Sequence, residues 1–138
     1  KAVGGGNFFI LAEELEVALA AAEAAVEAMR AVPGVIMPFP GGIVRSGSKV
    51  SSKYKGQHVS SNTPYCPTVR RQEKTALPPG VNAVLEIVID GLTEEAIGEA
   101  TRVGVREACL PGVVSISAGN YGGSLGKYHF HLRKLVGT

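Results

Sequence analysis

Tryptophan is absent from this 138-residue chain, and cysteine and methionine occur twice each. Cys66 and Cys109 are too few for a disulfide framework, so reduced thiols and a cytoplasmic location are expected. A net charge of +2 leaves no electrostatic footprint for nucleic acid, and no aromatic residues interleave with basic ones on a strand as base stacking requires. No apolar run is long enough to span a bilayer and no signal peptide is recognisable, so no membrane partner is expected. The CxxC and HExxH spacings are missing too. His129 and His131, two apart on an expected strand, share a face and with His58 or Cys66 form the only metal candidate; we expect no metal.

Glycine, by contrast, is plentiful: 18 residues gathered in a few places, which implies tight loops that approach a ligand or another backbone. The length and the 45% hydrophobic content suit one domain with a real core, residues 1–138. The chain opens at Lys1 without Met and enters a strand almost at once, which suggests one lobe of something longer.

The most strand-like stretch is Val81-Asn-Ala-Val-Leu-Glu-Ile-Val-Ile-Asp90. Alternation sends Val81, Ala83, Leu85, Ile87 and Ile89 to one face and Asn82, Val84, Glu86, Val88 and Asp90 to the other. Both faces are largely apolar, as in a central strand covered on both sides. Glu86 therefore sits between Val84 and Val88 where leaving water disfavours its charged form, the setting of a general acid/base. The plainer alternative is an ion pair with an Arg or Lys of a neighbouring strand, or a side chain that reaches solvent at a sheet face.

A strand at 8–12 precedes a helix from about Glu13, in which Leu15, Leu19, Ala22, Val26 and Met29 make an apolar stripe. Extended structure resumes at Val35-Ile-Met37, turns through Pro38-Phe-Pro-Gly-Gly42 and continues in Ile43-Val-Arg45. Residues 46–79 are a long polar excursion, with short strands expected near 57–60 and 66–69, and a connection of this length is usually functional or interfacial. After the central strand, Thr93 N-caps a helix whose apolar side is Ala96, Ile97, Ala100, Val103, Gly104 and Ala108. A strand at 113–117, a glycine-rich loop and a last strand at 127–135 complete the chain. The halves share a plan of strand, Ala-rich helix, Pro-Gly-Val and strand, marked by Val32-Pro-Gly-Val35 and Leu110-Pro-Gly-Val113. Two such units give an α+β ferredoxin-like βαββαβ sandwich, an antiparallel sheet with both helices on one face. Its other face would need a cover that the chain does not obviously supply.

Two loops add candidate binding groups. The stretch Ser117-Ala-Gly-Asn-Tyr-Gly-Gly-Ser-Leu-Gly126 offers backbone amides with Asn120 and Tyr121, suited to an oxyanion or a ring system, or it is simply a wide hairpin. It joins two strands and so lacks the strand-to-helix context of a dinucleotide or P-loop site. Arg45, Lys49, Lys53 and Lys55 form a cationic arm suited to carboxylate or phosphate groups, or else a solvated surface.

These blocks together resemble a known family. Val3-Gly-Gly-Gly-Asn-Phe-Phe-Ile10, Val35-Ile-Met-Pro-Phe-Pro-Gly-Gly-Ile-Val-Arg-Ser-Gly-Ser-Lys49, Tyr65-Cys-Pro-Thr68, Leu85-Glu-Ile-Val-Ile-Asp-Gly-Leu92 and Ala118-Gly-Asn-Tyr-Gly-Gly123 are similar to the C-terminal lobe of the formylmethanofuran:tetrahydromethanopterin N-formyltransferases. Tyr128-His-Phe-His-Leu132 looks nearest to the methylotroph branch, the formyltransferase component of a formyltransferase/hydrolase complex. The resemblance implies a distal, C-terminal ferredoxin-like lobe lacking its N-terminal partner lobe, in an enzyme that assembles as a homo-oligomer, a tetramer in the family. It implies formyl transfer between a methanofuran-type amine and a tetrahydromethanopterin-type carrier, substrates of one-carbon metabolism, without a covalent cofactor. Glu86 matches the acidic residue of proton transfer. Arg45, Ser48, Lys49, Lys53, Asn120, Tyr121, Gly122 and Gly123 fall in the matching blocks or beside them as substrate-binding candidates. The isolated lobe is then weak or inactive. The alternative is a non-catalytic lobe that serves assembly and ligand positioning.

Overall fold

The computed structural model describes residues 2–45, 67 and 77–118. Strand β1 (Val3–Ala12) leads to helix α1 (Leu15–Arg30), then to the short strands β2 (Val35–Ile36) and β3 (Val44–Arg45) with a 3-10 turn at Pro40–Gly42 between them. The second half runs β4 (Ala83–Gly91), α2 (Glu94–Glu107) and β5 (Val113–Ser117). Every pairing is antiparallel and the order is β2-β4-β1-β5, with β3 also on β4, which is the ferredoxin-like arrangement expected from the two-unit plan. The strands expected at 57–60, 66–69 and 127–135 lie outside the described residues, apart from the single position Pro67.

The reason the edge is split can be read from the register. Ile36 faces Asp90 and Val44 faces Glu86, so the Pro38-Phe-Pro-Gly-Gly42 segment inserts extra residues opposite β4. Met37 and Ile43 return from it to pack on the helix-side core.

The Pro-Gly repeats perform equivalent tasks in the two halves. Gly34 (φ +82°) and Gly112 (φ +91°) occupy left-handed backbone that other residues rarely adopt, just before β2 and β5. The carbonyl of Gly34 accepts from the amide N of Leu92 at 2.8 Å, and that of Gly112 from the amide N of Glu13 at 3.1 Å. Each half thus binds the chain leaving the central strand of the other.

The helix-side core joins Phe8, Ile10, Leu85, Ile87 and Ile89 of the sheet to both helices. In α1 the buried stripe is Ala18, Ala21, Ala22, Ala25, Val26 and Met29. Leu15 and Leu19, expected in that stripe, are 53% and 43% exposed. Helical spacing cannot tell which side of a leucine-bearing flank faces the sheet, and here the alanines do, letting α1 approach closely. Gly104 plays the same part in α2: an added Cβ would fall against Met29 Sδ and within 3.2 Å of Phe8 Cζ.

Thr93 caps α2 as its sequence position indicates, Oγ1 accepting from the amide N of Ala96 at 3.1 Å. Thr93→Ala in the full-length protein is expected to cost about 1 kcal/mol. A lowered urea midpoint with unchanged slope checks this, and no shift would show that the cap is idle.

Candidate active site

The second face of the sheet is built by the alternate residues of β1 and β4. Register pairs Ser117 with Phe9, Phe9 with Glu86 and Glu86 with Val44, so one continuous row crosses β5, β1, β4 and β3 with Glu86 within it. Leu11 and Val84, paired in the next row but one, lie on the same face.

Part of that face is covered within the chain, where an outside cover was expected, while Asn7, Val88 and Asp90 farther along it are half-buried. Phe9, Leu11, Val81 and Val84 form a second apolar cluster with Leu77 packed against it. The Leu77-Pro-Pro-Gly-Val81 approach to β4 supplies part of this, turning through the amide N of Val81, which donates to the Pro78 carbonyl at 3.4 Å. Val81 therefore belongs to the second face and not to the helix side: β4 begins only at Ala83, and strand alternation does not extend back through the turn.

Glu86 lies 8% exposed in this setting. Asn7 Nδ2 donates to its Oε1 at 2.8 Å. The pair is diagonal across the β1–β4 ladder, since Asn7 faces Val88 while Glu86 faces Phe9. Near the end of the same face, Asp90 Oδ1 accepts from the amide N of Gly5 at 3.0 Å, where the ladder is irregular between Val3 and Gly6. The carboxylate thus accepts a hydrogen bond from an amide and is flanked by Phe9 and Val84, largely removed from bulk water.

The sequence does not single out Asn7. Strand alternation puts it on the face of Phe9 and Leu11, but only the β1–β4 register brings it to Glu86, and register is not written in either strand alone.

Arg45 is exposed at the end of β3 opposite Leu85, so its side chain starts from the other face than that of Glu86. Ser48, Lys49, Lys53, Asn120, Tyr121, Gly122 and Gly123 lie outside the described residues, as do His58, Cys66, His129 and His131. Of the chain positions next to them, Ser117 of β5 lies in the row that holds Glu86, while Arg45 of β3 is one position beyond it, opposite Leu85. Among the described residues no group of three or more His, Cys, Asp or Glu could hold a metal ion, and no helix is long and apolar enough to cross a membrane.

Fold and site together define a ferredoxin-like α+β lobe that carries a buried, amide-bonded carboxylate on the sheet face away from its helices. Residues 1–135 match the family described as FTR, proximal lobe, and the chain belongs to that family. The family description corrects the expectation of a distal lobe: position along a two-lobe chain does not determine which lobe is proximal. The formylmethanofuran–tetrahydromethanopterin formyltransferase of Methylococcus capsulatus is 58% identical over 140 residues, covering 99% of this chain and 47% of the relative. That of Methanopyrus kandleri is 58% identical over 135 residues, covering 96% and 45%. A component of the formyltransferase/hydrolase complex of Methylorubrum extorquens is 51% identical over 139 residues, covering 98% and 45%, so the likeness to that methylotroph protein is real but no nearer than to the other two. Among solved structures, the Methanosarcina barkeri formyltransferase superposes with a TM-score of 0.87 at 51% identity, covering 97% of this chain and 46% of that one. The Methylorubrum extorquens complex with methylofuran gives 0.86 at 51% identity, covering 98% and 45%. The chain spans about half the length of the curated relatives it matches.

Proposed function

We propose that this chain is the proximal lobe of a formyltransferase of one-carbon metabolism, moving a formyl group between a methanofuran-type amine and a tetrahydromethanopterin-type nitrogen. The observation that carries this reading is the buried Glu86, bonded to Asn7, in a chain that matches enzymes named for this reaction along nearly its whole length.

The chemistry follows from an amide-type donor. The lone pair of the attacking nitrogen adds to the formyl carbon, the C=O π electrons move to oxygen, and a tetrahedral intermediate forms. The attacking nitrogen must then lose a proton and the departing nitrogen must gain one as its C–N bond breaks. Glu86 accepts the first proton and returns it to the leaving amine, so its own charge is restored in each turnover. The oxyanion needs hydrogen-bond donors, for which Asn120 and the amides of Gly122 and Gly123 are our candidates, with Tyr121 beside them. Arg45, Ser48, Lys49 and Lys53 are proposed to bind the carrier. Both substrates are diffusible carriers, and the scheme requires no covalently bound cofactor. The other half of a two-lobe protein, identical subunits and, in some settings, the other components of a formyltransferase/hydrolase complex are the proposed partners, and the lobe by itself is expected to be weak in catalysis.

The direct test is transfer of the formyl group from formylmethanofuran to tetrahydromethanopterin by the full-length protein; no transfer would sink the proposal. A subsidiary expectation concerns the cationic arm. Replacing Lys49 and Lys53 together with Ala should raise KM about 10-fold, equivalent to about 1.4 kcal/mol, and leave kcat little changed. An unchanged KM at low salt would show that the arm does not meet the carrier.

A further inference from the structure

We infer that Asn7 is a positioning residue for Glu86, one whose amide fixes the orientation of the carboxylate and sets the pH range in which it accepts a proton. This rests on the reading of Glu86 as the proton-transfer group.

Among the described residues, two influences on Glu86 oppose each other. Phe9, Val84 and Val44 surround it by register, and loss of water there favours the neutral acid. The Asn7 Nδ2–H, at 2.8 Å from Oε1, favours the carboxylate, because a donor to the charged form stabilises that form. The geometry is built by the fold and is not incidental: β1 and β4 share an extended antiparallel register, with Asn7 opposite Val88 and Phe9 opposite Glu86. The amide also limits rotation of a carboxylate that must reach both an attacking and a leaving nitrogen in turn.

Among the described residues, other ionisable groups on the adjoining elements are few. Among the described residues β1 and β5 carry none, nor does the Leu77-Pro-Pro-Gly-Val81 segment. On β4 there is Asp90, four positions beyond Glu86 on the same face and engaged with the Gly5 amide, and on β3 Arg45, which starts from the opposite face.

The test uses the full-length protein with formylmethanofuran and tetrahydromethanopterin, comparing the wild type with Asn7→Leu, Asn7→Asp and Glu86→Gln. Asn7→Leu keeps the branched shape and removes the donor. The acid limb of its kcat profile should move up by about one pH unit, with kcat down roughly 10-fold below that limb and KM nearly unchanged. Asn7→Asp sets a second carboxylate against the first and should move the limb in the same direction and further. It also serves where the leucine variant does not fold. A wild-type acid limb in a folded Asn7 variant overturns the inference. If Glu86→Gln is crippled while the Asn7 profiles stay put, only the role of Asn7 falls. If Glu86→Gln keeps near-normal turnover, the reading of Glu86 falls and this inference falls with it.

Discussion

Glu86→Gln in the full-length protein is expected to lower kcat by roughly 2 to 4 orders of magnitude while the protein remains folded. Gln keeps the shape of Glu and can still meet the Asn7 amide through its side-chain oxygen, so the β1–β4 face stays filled. What it cannot do is take a proton from the attacking nitrogen and return it to the leaving one. The loss should therefore appear in kcat more than in KM, because carrier binding is assigned to other groups. A circular dichroism spectrum and urea midpoint close to wild type, beside the collapsed rate, would separate lost chemistry from lost structure. Near-normal turnover would show that Glu86 is only a buried structural carboxylate.

The second large effect concerns stability. Phe8→Ala is expected to cost about 3–5 kcal/mol, a large fraction of the roughly 5–15 kcal/mol that typically holds a domain together. Phe8 is fully buried in the core between sheet and helices, opposite Ile87 on β4 and close to the space kept open by Gly104. Removing its ring leaves a cavity that neither the β1–β4 ladder nor the packed helices can close without moving backbone. Leu19→Ala is the control, expected within about 0.5 kcal/mol of wild type because Leu19 is 43% exposed. Urea denaturation of the full-length protein compares them, and equal costs would contradict the packing of Phe8 against both helices.

That contrast shows where sequence reading succeeds and where it stops. The repeated plan around Val32-Pro-Gly-Val35 and Leu110-Pro-Gly-Val113 disclosed the ferredoxin-like topology, because each Pro-Gly ends a helix and sets the same entry into a strand. Thr93 was legible for a similar reason, its cap being a local hydrogen bond. The side of α1 that packs was not, since leucines and alanines recur at compatible spacings and only the closeness of helix and sheet selects the alanines. Nor was the place of Val81 on the second face, which follows from a turn that carries it out of strand alternation. Glu86 could be picked out as one charged residue in an apolar strand, but the Asn7 bond depends on a register shared by segments distant in sequence.

The central claim is that formyl transfer takes place against Glu86, beside the row that runs from Ser117 to Val44. A crystal structure of the full-length protein with formylated carrier bound tests it most directly. The reacting nitrogen of the carrier is expected to lie roughly 2.6–3.2 Å from the Glu86 carboxylate, or one water away from it. A carrier whose formyl group is held elsewhere, with Glu86 out of reach, would contradict the claim.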